Sequence, residues 1–294
     1  MIILCAVVIA AAAAVAFGGA GGDVLGDEYV LIALIVPAIA VGACLLIYSF
    51  GKRKFQQLFR EKIVRNFVES LLQNGYYNPL KFHSLNEYYE SLLYPAHVDR
   101  FKGANYASGK YEKTQLSFSF LHTEYEKVEH TKNGTRKRRH TIFKGVFLCA
   151  DCNKNFSAAT VVLPDFAEKY FGGFGKWLQR TAGNAAGQMV YMENPDFEKA
   201  FAVYSADPVE ARYLITPKMQ EDILRIKKFL GKDVRFSFVN SKVFVAISRD
   251  DLFKVNPSLS FAKPETLDFY MKDMFDLLSV VKMLDLNVRI WGKS

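Results

Sequence analysis

Apolar residues open the chain in two runs, Met1 to Phe17 and Tyr29 to Phe50, separated by Gly18-Gly19-Ala20-Gly21-Gly22 and the acidic stretch Asp23-Val24-Leu25-Gly26-Asp27-Glu28. At about 1.5 Å per residue the second run makes a helix roughly 33 Å long, enough for a hydrocarbon layer of about 30 Å. The pattern predicts a membrane-helix hairpin over residues 1–50, with Pro37 kinking its second arm. The first run is short, but Met1-Ile2-Ile3-Leu4 carries no positive charge, which favours a span over a cleaved signal peptide.

Helical spacing continues from Phe55 to about Leu72, where Phe55, Leu58, Phe59, Ile63, Phe67 and Leu71 fall on one stripe with basic residues between them. A juxtamembrane amphipathic helix is expected within residues 51–75. Its stripe suits a lipid surface and its own domain equally. Asn74-Gly75 and Asn78-Pro79 then punctuate the chain before the globular part, residues 76–294.

Alternation takes over near Thr114, with Leu116, Phe118 and Phe120 interleaved with Ser117 and Ser119. Asn133-Gly134 predicts a two-residue hairpin turn that sets Glu129 opposite Arg138 and Tyr125 opposite Ile142. Buried strands are expected at Ile142–Leu148 and Ala159–Leu163, and Pro164-Asp165 opens a helix. A second hairpin turns at Asn240-Ser241, pairing Phe238 with Val243, Phe236 with Val245 and Val234 with Ile247 on one buried face. Thr216, Pro217 and Gly231 read as N-cap, first helical residue and stop of the helix before it. A last helix runs from about Pro264 to Leu284, its methionines filling core. Strands and helices without a βαβ rhythm predict an α+β cytoplasmic domain with antiparallel hairpins.

Composition narrows the classes. Half of the 294 residues are apolar and 23% are charged, which excludes disordered, collagen-like and disulfide-scaffold chains. The net charge of +8 is unevenly spread, because residues 1–50 hold three acids and no Lys or Arg. Lys52, Arg53 and Lys54 follow the second apolar run directly, and the positive-inside rule then places both termini and the soluble domain in the cytoplasm. These three cations are candidates for anionic lipid headgroups.

The chemistry-bearing constellations are few. Cys149-Ala150-Asp151-Cys152 has CxxC spacing, but it ends a strand and has no second pair, so structural cysteines are expected. His130 and His140 lie close across the first hairpin without a third ligand, so no metal is expected, and nothing calls for a cofactor. Gly172-Gly173-Phe174-Gly175-Lys176 cannot be laid on a Walker motif, and no nucleophile elbow, HExxH or kinase signature occurs. The hairpin tip, Lys132 with Arg136, Lys137, Arg138 and Arg139, is the main candidate surface for a lipid or protein partner. No aromatic platform interleaves with it, which disfavours nucleic acid. A solvated edge partly neutralised by Glu124, Glu126 and Glu129 is the competing explanation. Asp207, Glu210 and Arg212 form a compact charged group, a ligand candidate that a turn explains equally well.

At these blocks the sequence resembles a known family. Ile142–Phe147, Asp151 with Asn153–Phe156, Phe197–Ser205, Asp207 and Glu210–Pro217 together resemble the bacterial family called domain of unknown function 3137, over roughly residues 52–291. Its members typically carry an N-terminal pair of membrane helices, so the resemblance implies an inner-membrane protein, with no established activity, substrate or cofactor. It also implies a partner of the LemA membrane family. Cys149 and Cys152 stand where ordinary strand residues are expected in relatives. The combined expectation is a membrane-anchored binding or scaffold module without catalysis, engaging a protein or anionic lipid. The alternative is an enzyme or small-ligand sensor at the membrane surface, and oligomerisation through the small-residue runs stays open.

Overall fold

The computed structural model describes residues 27–131, 134–152, 156–165, 187–231, 233–253 and 264–284. The chain divides into two compact units, Met1–Phe59 and Arg60–Ser294. In the first, helix α1 spans Asp27–Leu58. The expected membrane hairpin is corrected here: among the described residues no helix is long and apolar enough to cross a membrane. Met1–Phe17 lies outside the described residues. The run Tyr29–Phe50 is one portion of a longer element, because α1 continues without a break through Lys52, Arg53 and Lys54. Backbone hydrogen bonds set a helix's length and are indifferent to side-chain polarity, so an apolar run and the helix that contains it need not share an end.

Next in the chain come a π-helical turn, Phe59–Val64, and α2, Arg65–Leu71. The second unit also departs from the expected fold class. Among the described residues its two hairpins are not separate parts of a mixed domain but segments of one nine-stranded, wholly antiparallel sheet, accompanied by a few helices. The strands are β1 (Gln73–Asn78), β2 (Arg100–Tyr111), β3 (Thr114–Thr131), β4 (Gly134–Asp151), β5 (Thr160–Pro164), β6 (Gln188–Val190), β7 (Phe201–Ser205), β8 (Val234–Val239) and β9 (Lys242–Ser248). They lie in the order β1-β2-β3-β4-β9-β8-β5-β7-β6. The β4–β9 pairing joins residues about a hundred positions apart, from Gly145 with Ser248 to Asp151 with Lys242, and this fuses the hairpins into one sheet.

Local chemistry accounts for the shorter elements. Ser84 caps α3 (Leu85–Glu90) through a capping box with Glu87. Asn194 caps α4 (Pro195–Ala200) and Asp207 caps α5 (Pro208–Leu214), each followed by Pro at the first helical position. The Thr216 hydroxyl accepts from Met219 N–H at the start of α6 (Pro217–Leu230), and Gly231, at φ 59°, ends it. Helix α7 spans Pro264–Met283. In the β8–β9 hairpin the expected pairs form, and Asn240 and Ser241 take φ of 52° and 59°, the positive values of a type I′ turn.

The hairpin is buried on both faces rather than one, since all six β8 residues are buried. On one face Tyr88 of α3 stacks on Tyr94 at 5.5 Å and contacts Phe147, and the Arg235 guanidinium lies 4.5 Å from the Tyr94 ring. On the other, Phe201 packs on Phe236, and Lys227 of α6 lies over Phe201. Each such buried aromatic contributes about 2–3 kcal/mol of transfer free energy, so this double-sided core outweighs the local turns and caps.

Candidate functional site

The strands β3 and β4 outrun their neighbours. Pairing of β2 with β3 stops at Arg100 and Glu124, and pairing of β9 with β4 begins at Gly145. From Tyr125 to Thr131 the hairpin therefore projects as a two-stranded ribbon, roughly 20 Å long at about 3.3 Å per residue. A bulge marks its base: Thr123 pairs with Phe143 and Glu124 with Thr141, leaving Ile142 as the extra residue. Asp99 secures the same point, its N–H donating to Glu124 O and its carboxylate accepting from Glu126 N–H at 2.7 Å.

The last described pair is Thr131 with Gly134, so the register differs from the one Asn133-Gly134 predicts. Arg138 stands opposite Lys127, Glu129 opposite Arg136 and Tyr125 opposite His140. The shift is one residue on each strand, so every side chain keeps its face, and Arg138 still reaches Glu129 diagonally at 3.4 Å. One face carries Glu126, Val128, Lys137 and Arg139; the other carries Tyr125, Lys127, Glu129, Arg136, Arg138 and His140. Glu126 pairs with Arg139 at 3.1 Å and with Lys137 at 3.8 Å. Lys127 and Arg136 make no ion pair among the described residues. Both faces thus show net positive charge to solvent, with Arg136–Arg139 all exposed. Tyr125 and His140 stack at 5.2 Å near the base.

Other expected site residues are placed as follows. Lys132 lies outside the described residues, as do Asn153–Asn155 and the Gly172–Lys176 loop. Lys52, Arg53 and Lys54 are exposed on α1, in the other unit. The Asp207 carboxylate accepts from Val209 and Glu210 N–H. Glu210 holds the 157–158 loop by accepting from Ser157 N–H at 2.8 Å and Ala158 N–H at 2.6 Å, and Arg212 is exposed. Burial pushes the Cys149 thiol up to about 12, which keeps it protonated and unreactive at neutral pH. Among the described residues no group of His, Cys, Asp and Glu is arranged to hold a metal.

Sequence reasoning passed over Lys127, which the ladder sets on the same face as Arg136 and Arg138; its own position on an alternating strand was the available signal. It also passed over His83, fully buried between Ser117 and Ser119. Nothing in the local sequence marks that contact, because 34 and 36 residues separate the partners.

No curated protein matches this chain. Among solved structures, the mycobacterial trehalose monomycolate transport factor A, TtfA, is similar at 11% identity, covering 62% of this chain and 76% of its own, with a TM-score of 0.30. A likeness that distant carries no argument about function. A family model matches from Thr141, just past the ribbon's basic segment, to residue 286, just past α7, and so takes in the sheet-embedded half of β4, strands β5–β9 and helices α4–α7. Residues 141–286 of this chain belong to the family described as "Protein of unknown function (DUF3137)".

Proposed function

We propose that this chain is a non-catalytic binding module whose β3–β4 ribbon engages an acidic groove on a protein partner. The observation that carries this reading is the distribution of charge over two faces. Arg136, Lys137, Arg138 and Arg139 alternate sides along one strand, as consecutive strand residues must. A flat anionic surface, such as a lipid bilayer, meets one face at a time and reaches only half of these cations. A concave acidic surface that receives the ribbon edge-on reaches both. The ribbon's acids do not cancel the charge, since Glu126 is shared by two cations while Lys127 and Arg136 have no described acidic partner. Complementary charge of this kind raises association rates and sets register, with modest gains in affinity.

In-cell crosslinking of the full-length chain, followed by gentle extraction and mass spectrometry, tests the proposal. The expected result is a near-stoichiometric acidic protein crosslinked to the ribbon, with capture from the extracted native complex reduced when salt is raised before crosslinking and absent when Arg136–Arg139 are replaced by Ser. A partner retained by the Ser variant overturns the assignment to the ribbon. Vesicles containing phosphatidylglycerol that bind the wild type, with no protein captured, turn the assignment to a lipid surface.

A further inference from the structure

At the sheet end opposite the ribbon, strands β2, β3 and β4 and the β8–β9 turn line an open cleft of about 470 Å³. Ser108, Ser117 and Cys149 are successive cross-strand partners and lie side by side in it. Among the described residues the charged lining is Asp151 and Lys242, which are cross-strand partners of opposite sign. Gln115 and Asn240 add two amides.

Behind Ser117 sits His83, and the hydrogen bonds around it run in one direction. The Ser119 hydroxyl accepts from the His83 backbone N–H at 3.2 Å and lies 2.7 Å from His83 Nδ1. Ser119 is fully buried, and among the described residues its proton has no other acceptor, so it donates to Nδ1. Burial pushes His83 down to about 4, leaving a neutral ring. With Nδ1 accepting, the ring proton is on Nε2 and is donated to Ser117 Oγ at 2.9 Å. Ser117 then keeps its own proton with no acceptor among the described residues, and Ser117 is one of the residues lining the cleft. A chain of this kind polarises its last member, making Ser117 a stronger donor than an isolated serine. The same assignment removes Ser117 as a nucleophile, since His83 gives it a proton rather than taking one.

We propose that this cleft binds an uncharged polyhydroxylated small molecule, a sugar or polyol, with the Ser117 hydroxyl donating to a ligand oxygen and the Gln115 and Asn240 amides offering mixed donors and acceptors. The lining selects against other classes. Asp151 and Lys242 are cross-strand partners, so an ion of either sign meets a like charge beside an opposite one. An apolar ligand leaves the Ser117 proton buried and unpaired. The proposal is independent of the ribbon and its partner.

Binding to the full chain is followed by isothermal titration calorimetry with D-glucose, myo-inositol, acetate and ethylammonium as separate titrants. Glucose or inositol is expected to bind, with a Kd that rises roughly tenfold in Ser117→Ala, as loss of one hydrogen bond predicts. Ser108→Ala, on the neighbouring strand, is the second variant should Ser117→Ala fail to fold, with a smaller rise expected. Binding of acetate or ethylammonium alone, a Kd unchanged in the folded variants, or no binding of either polyol overturns the proposal.

Discussion

The Thr123 hydroxyl accepts a hydrogen bond from the Phe143 backbone N–H at 3.1 Å, at the point where β3 and β4 leave the sheet. Phe143 is buried in the main core and Ile142 is the bulged residue before it. The contact therefore gives a buried donor beside the bulge a side-chain acceptor, and it joins a core packed on both faces to a ribbon packed on neither. Tyr88 OH lies 3.1 Å from the same hydroxyl, tying α3 to the junction.

Replacing Thr123 with Val removes the acceptor at nearly constant volume and leaves the Phe143 N–H buried. The expected cost is about 1–3 kcal/mol of global stability, read as a lower urea midpoint with an unchanged denaturant slope. Faster hydrogen exchange at Phe143 relative to the β8–β9 hairpin is expected to localise the effect.

Gly145 is the first β4 residue paired with β9, and a Cβ there would collide with the Ile247 carbonyl oxygen. Gly145→Ala forces β4 and β9 apart at the sheet centre. A loss of several kcal/mol is expected, measured as a fall in melting temperature, whereas Gly231→Ala meets open space and is penalised only for its positive φ.

His83 makes stability depend on pH. Burial pushes its folded-state value to about 4, below the usual 6.5. The unfolded chain therefore binds more protons between these values, and stability falls as pH drops from about 6.5 to about 4, then levels off. The full window corresponds to roughly 3 kcal/mol. Urea midpoints at pH 7.5 and 5.0 are expected to converge in His83→Gln, with the remaining slope due to carboxylates.

The ribbon's charge is expected to be separable from its fold. Exposed pairs such as Arg139 with Glu126 contribute about 0–1 kcal/mol each, so Ser at 136–139 is expected to shift the melting temperature by only a few degrees. A collapse of the fold on this substitution, seen by circular dichroism, contradicts the solvent exposure of these four residues.

Much of the local structure was legible in the sequence. Thr216, Pro217 and Gly231 delimit α6, and Asn240-Ser241 sets the β8–β9 register, because caps and tight turns are decided within a few residues by backbone geometry. The basic ribbon was legible as a charge run on a hairpin, and strand alternation preserved its faces even though the register at the tip moved. Tertiary structure decided the rest. The union of the hairpins through Gly145–Asp151 and Lys242–Ser248 depends on contacts about a hundred residues apart, and no local pattern encodes which strand meets which. The burial of β8 on both faces and the line of bonds from Ser119 through His83 to Ser117 follow from that assembly. The apolar run Tyr29–Phe50 shows the same limit from the other side: composition records how hydrophobic a segment is, while the helix that contains it ends elsewhere and runs on into charge.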